Sequence, residues 1–154
     1  MDIEALSLLA DVLPPVAVPE HARARFHAEL HGAQRFAPLA QEIAELFSVP
    51  LPTLQAALAR VDDESAWIAL PAPGPQLLPV QGRVVLSRLA AGTRIPHHAH
   101  KARELTYVLD GIIVSDGVEH GRSECMDMAP GTAHTLHVSD DEDCLVVFAS
   151  LSAL

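Results

Sequence analysis

Apolar residues in the first sixty positions recur every three to four residues; farther on they gather into short runs punctuated by glycine. DIEALSLLADVL carries Ile3, Leu6, Leu9, Ala10 and Leu13 at helical spacing, and PPVAVP stops it. PEHARARFHAELHG opens with Pro19 in a first-turn position and ends at Gly32. FAPLAQEIAELF places Leu39, Ile43, Leu46 and Phe47 on one face; SVPLP breaks the chain, and TLQAALARV carries Leu54, Leu58 and Val61. The pattern predicts about four short helices and no strand in this half.

The texture changes after DDESAW. LPAPGPQLLPVQG is rich in proline and glycine and reads as a linker or an edge segment. Strand-type runs follow: RVVLSRL, ELTYVLDGIIVSDG, SECMDM, AHTLHV and DCLVVFASL. Gly92, Gly111, Gly117, Gly121 and Gly131 separate them at short intervals. Several short strands joined by turns predict a sandwich or barrel. The change of period divides the chain into a helical domain over 1–65 and a β domain over 66–154.

Charge narrows the partners. Twenty acidic residues against ten basic ones give a net charge of -10 over 154 residues, unsuited to nucleic acid or an anionic membrane. No apolar run approaches the roughly 20 residues of a membrane span. Asp2 and Glu4 stand where a signal peptide carries positive charge. A soluble cytoplasmic protein is expected. LAQEIAELFSVPLPTLQAALARV has the outline of a helix-turn-helix. Its second helix offers only Thr53, Gln55 and Arg60 to bases and phosphates, and Asp62, Asp63 and Glu64 follow. These helices read as core-forming. Cys125 and Cys144, the two cysteines, make neither a disulfide framework nor a thiolate zinc cage. They fall in separate strands and could face each other, although buried unreactive thiols are the default.

The chemistry concentrates in GTRIPHHAHKARELTYVLDG. Residues i and i+2 of a strand share a face, so His98 and His100 point together and His97 points away. Glu104 follows a short polar turn, and a hairpin would return its carboxylate to the imidazoles. His134 opens a later run, after APG. Three imidazoles and a carboxylate suit a borderline divalent ion, with one or two coordination positions left open. Nine histidines in an acidic chain would also cluster by chance at a surface; the spacing favours a site. Thr106 and Val108 share the parity of Glu104 and are expected on the pocket wall, or else in ordinary core packing. His120 and His137 have no supporting pattern. His27 and His31 share a helix face, with His21 before them; lacking a neighbouring thiol or carboxylate, they read as solvated.

The run from Gly92 through His98, His100 and Glu104 to Gly111 resembles the first motif of the cupin family without a gap. SECMDMAPGTAH resembles the second: Gly131 and His134 fit its Gly-x-x-His, while Ser123 and Glu124 replace the usual Gly-Asp. Ala129 stands in the usual proline position, and Val138 replaces a frequent asparagine. The resemblance covers Trp67 to Leu154 and implies an RmlC-like, jelly-roll antiparallel β-barrel. His98, His100, Glu104 and His134 would point inward and hold one divalent metal per chain: zinc first, with iron, manganese or nickel as alternatives.

Within cupins, RIPHHAHKARELTYVLDG and DCLVVF look most like the ChrR-type cupin of anti-sigma factors. That type joins a helical sigma-binding domain to a zinc cupin that responds to oxidative stress, and the order of the two halves agrees. The His-x-x-x-Cys-x-x-Cys motif of its helical domain is missing, since no cysteine precedes Cys125. The resemblance implies a metal-binding regulator that reads a small ligand or an oxidant, with a sigma factor as one candidate partner. A homodimer is also implied. The alternative is a mononuclear cupin enzyme of dioxygenase or isomerase type. Near the expected ligands stand Thr106, Tyr107 and Met128, none of them a clear general base, and Tyr107 has outward parity. Trp67, the one tryptophan, is placed to dock the interdomain segment on the barrel.

Overall fold

The computed structural model describes residues 34–71 and 74–151, with the single positions 20 and 32. Apart from those two positions, the helices expected over DIEALSLLADVL and PEHARARFHAELHG lie outside the described residues, as do His21, His27 and His31. The next two helices form where expected. Helix α1 spans Ala37–Phe47, with Pro38 in its first turn, where a missing N–H breaks no intrahelical bond. It ends at Ser48, whose left-handed backbone (φ 54°) turns its N–H onto the carbonyls of Ala44 and Glu45. Helix α2 spans Leu51–Leu58, again with proline in its first turn. A single 3-10 turn, Glu64–Ala66, follows; Asp63 caps it by accepting the Ser65 N–H at 3.0 Å.

The buried face of α1 is Ala40, Ile43, Ala44 and Phe47. Leu46, expected on that face, is exposed, and Leu39 is only partly buried. The face is rotated because the small Ala40 and Ala44 allow close approach to what lies beneath. In α2 and just beyond it, Leu54, Leu58 and Val61 are all buried, as expected.

Among the described residues, ten strands build two antiparallel sheets. In chain order they are β1 Ile68–Ala69, β2 Gln76–Gln81, β3 Val84–Leu89, β4 Arg94–Ala99, β5 Arg103–Asp110, β6 Ile113–Ser115, β7 Val118–His120, β8 Cys125–Met128, β9 Ala133–Val138 and β10 Cys144–Leu151. The larger sheet runs β1-β2-β3-β10-β5-β8 and the smaller β4-β9-β6-β7. The segment expected as linker or edge contributes a full strand, β2. Its Pro79 lies beyond the reach of β1, so the absent N–H faces an open edge.

The larger sheet is buried on both faces, which explains why β5 and β10 read as nearly unbroken apolar runs. On its outer face Leu78, Leu86, Leu105, Tyr107, Leu109 and Val147 share one core with α1 and α2. Its inner face, with Val108, Met126, Cys144 and Val146, packs against Ile113, Leu136 and Val138 of the smaller sheet. Ala33–Leu154 form one compact unit. Trp67 is anchored there: its Nε1–H donates to the Val61 carbonyl at 3.0 Å, and the Arg88 guanidinium lies 4.4 Å from its ring centroid.

The cysteines do not face each other. Cys144 belongs to the inner core, whereas Cys125 lies opposite Tyr107 in the ladder and takes the outer face. Burial pushes the Cys144 thiol up to about 12.

Candidate metal centre

His98 and His134 lie directly opposite each other on β4 and β9. His100 stands one residue past the end of β4, held by two backbone bonds of 2.8 Å: its N–H donates to Thr132, and its carbonyl accepts from Gly131. Glu104 comes from β5, in the other sheet. The hairpin expected between His100 and Glu104 does not form. Strand β4 pairs with β9, while β5 pairs with β10 and β8, so the turn at Lys101 and Ala102 carries the chain from one sheet to the other. The site therefore sits at a corner where the two layers meet.

A bulge sets the register. Between the Ile95–Leu136 and His98–His134 pairs, β4 holds one residue more than β9. Pro96 falls inside it, where its missing N–H breaks no ladder bond. Both Ile95 and His98 consequently line the same cavity, although three residues apart. His97 is exposed, as expected.

The four side chains place one donor atom each within 4.8 Å of one another. The imidazole centroids form a near-equilateral triangle with sides of 5.0, 4.8 and 4.7 Å. Two of the rings are oriented from outside the cluster. His98 Nδ1 lies 3.0 Å from the Pro96 carbonyl, which can only accept, so Nδ1 is the donor of that bond. His134 Nδ1 meets the Ser115 hydroxyl at 2.9 Å, and His100 Nδ1 lies 3.4 Å from the Glu104 carboxylate. The Nε2 atoms of His100 and His134 are buried without a partner. Burial, then the His100 and His98 imidazoles, hold His134 below the usual histidine range and favour its uncharged form. Partnerless buried nitrogens beside a carboxylate are what a divalent cation would satisfy, so the residues fit such an ion.

His98 and Glu104 also form part of the wall of a cavity of about 540 Å³ between the sheets. Thr106 joins that wall, as expected, but Val108 does not; it packs in the inner core. Met128 pairs with Glu104 across the β5–β8 ladder. Tyr107 points away beneath α1, where its hydroxyl donates to Glu42 at 3.1 Å; burial and that carboxylate raise its pKa. His120 and His137 stand outside the cluster. Sequence reasoning did not single out Ser115, which orients His134, or Arg83, Ser87, Phe148 and Ser150, which share the cavity. These positions come together only through the pairing of distant strands, and no local pattern marks them.

No protein-family profile matches the chain, and no curated protein does. Among solved structures, the chain is similar to the Rhodobacter sphaeroides anti-sigma ChrR, solved in complex with SigE. The likeness has a TM-score of 0.54 at 24% identity and covers 96% of this chain and 75% of that one. The chain has the cupin fold. Looser likenesses include an RmlC-like cupin protein of Ralstonia eutropha (TM-score 0.48, 14% identity, 56% of this chain and 62% of that one). An acetylacetone dioxygenase of Acinetobacter johnsonii is similarly distant (0.48, 10%, 57% and 70%). Of the four donor residues, His98, His100 and Glu104 fall in the run that resembles the first cupin motif, and His134 in the run that resembles the second. Ser123, at the motif's usual glycine, adopts the left-handed backbone that glycine would take (φ 72°). No described helix is long and apolar enough to cross a membrane.

Proposed function

We propose that this protein is a metal-binding regulator whose cupin barrel, residues 66–154, reads a small ligand or an oxidant at one divalent ion. The helical part, residues 1–65, passes the state on to a protein partner. His98, His100, Glu104 and His134 hold the ion, with zinc the first choice for three imidazoles and a carboxylate. The carrying observation is the position of the donor cluster on the reverse side of a helix-bearing strand. Glu104 and Thr106 face the cavity from β5, while Leu105, Tyr107 and Leu109 of that strand pack beneath the helices. A ligand that shifts Glu104 therefore acts on a strand that α1 also grips. The likeness to an anti-sigma over both helices and barrel makes a sigma factor one candidate partner. The helical part binds it without a cysteine zinc motif, since no cysteine precedes Cys125. The protein works in the cytoplasm, as a homodimer.

If bound, the metal would supply an electrophilic centre beside the cavity that His98 and Glu104 line. The chain's own residues orient the ligands through Pro96 and Ser115 and keep the two innermost imidazoles dry. The test is protein purified without an affinity tag, analysed for metal and then stripped or treated with peroxide. Trp67 fluorescence and binding to a candidate sigma factor should both change. If neither responds, the sensor reading fails. Turnover of an oxygen-accepting substrate by the metal-loaded protein would put a cupin enzyme in its place.

A further inference from the structure

The cavity beside the four donor residues has a polarity of its own. Its walls are mainly apolar, with Ile95, Leu136, Val146 and Phe148 among them. Besides Ser87, Thr106 and His98, one row of polar groups crosses it. On the inner face of the larger sheet, Glu104 of β5 pairs with Ser150 of β10. One step beyond the Ala149–Val84 pair, on the far side of Ser150, stands Arg83. Arg83 occupies the tight β2–β3 turn beside Gly82 and lines the same cavity; no other Arg or Lys is among its described lining residues. Adjacent strands lie about 4.8 Å apart, so the Glu104 and Arg83 backbones are separated by about 10 Å, with a serine between them. The next row down is Thr106, Phe148 and Val85, a largely apolar floor.

A cavity with an arginine at its exposed rim, a metal-type cluster across from it and hydrocarbon walls between selects for charge and for apolar bulk together. We propose that it binds a small amphipathic organic anion: a carboxylate on Arg83, and a hydrocarbon body along Phe148 and Leu136 that points toward the imidazole cluster. This goes beyond the regulator reading, in which a ligand is read at the ion: here the charged group is held at Arg83, across the cavity from the four donor residues.

The test uses full-length protein, zinc-loaded and zinc-stripped, with zinc content measured on every sample. Hexanoate, octanoate and 1-octanol are titrated by calorimetry. Octanoate should bind about fivefold more tightly than 1-octanol, the size of one solvent-exposed ion pair. Each added methylene should bring about a fourfold gain. Arg83→Gln, a change in an exposed turn, should erase the advantage of octanoate and leave 1-octanol unaffected. The inference is overturned if neither probe binds, or if octanoate keeps its advantage in Arg83→Gln. It is also overturned if that advantage vanishes on zinc removal from the unmodified protein, which would put the carboxylate at the metal. Failure to retain zinc would sink the metal reading alone, because the Arg83 comparison can be made on zinc-stripped protein.

Discussion

Single side chains carry the sharpest tests. His98→Ala should abolish binding of a divalent ion, and His97→Ala should leave it nearly intact, as read by metal content after dialysis. Equal loss in both variants would mean the β4 bulge is misplaced. Ser123 holds a left-handed backbone against the preference of any residue with a Cβ. Ser123→Gly should therefore stabilise the protein by about 0.5–1 kcal/mol in urea unfolding. Gly111, the last residue of the first motif, has a left-handed backbone as well (φ 78°), and a Cβ there would also strike the carbonyl of Asp143. The thiols should separate cleanly. Cys144 is buried with its pKa raised to about 12, so a thiol reagent at pH 8 should modify at most the exposed Cys125 until denaturant is added. The bidentate Arg35–Asp62 pair at 2.8 Å holds the Asp62 carboxyl below its ordinary value of 3.8, mainly through the hydrogen bonds from Arg35. The folded form binds that proton less readily than the unfolded chain. The pair's contribution is thus intact above about pH 4 and fades as pH falls through the folded pKa. An acid titration of Arg35→Gln should show a shallower loss of stability there.

Among the elements, β5 explains most of the molecule. Its even-numbered residues from 104 to 108 face the cavity and inner core, and its odd-numbered ones from 105 to 109 face the helices. Tyr107→Phe removes one hydrogen bond to Glu42 and should cost about 1 kcal/mol of stability. Because coupling is reciprocal, metal affinity should shift with it, and an unchanged affinity would count against transmission from Glu104 to α1 through β5. This strand also marks what was legible in the sequence. The period-two parity of His98 and His100, the strand runs and the helical stripe of Leu54, Leu58 and Val61 could all be read locally. The sheet change between His100 and Glu104 could not, because a polar turn fits a hairpin or a corner equally well. Nor could the fate of Val108, whose parity matches Thr106 while its depth in the barrel is set by the pairing of β5 with β10. Leu46 misled for a related reason: helical period identifies a face only to within a residue or so, and packing chose the one with two alanines.

For the whole molecule, one core joins the described helices to the back of the barrel. Phe36 lies wholly buried in it, with the Arg35 and Arg122 guanidinium groups 4.5 and 5.6 Å from its ring centroid. Phe36→Ala should cost about 3–5 kcal/mol and loosen helices and barrel in a single transition. Two separate transitions would show that the halves fold independently. The proposed homodimer should appear in light scattering at micromolar concentration as twice the monomer mass of 16.5 kDa. The order of strands in the larger sheet has a consequence for biosynthesis. Strand β10 comes last of the ten, yet it lies between β3 and β5, holding the middle of the sheet. A nascent chain can expose His98, His100, Glu104 and His134 to the cell while the sheet that aligns them still lacks its centre. Ribosome-bound chains arrested before Cys144 should be cut readily by protease, and protection should arrive abruptly once residue 151 has cleared the exit tunnel. On the metal-binding reading, capture of the ion should follow the pairing of β10 with β3 and β5.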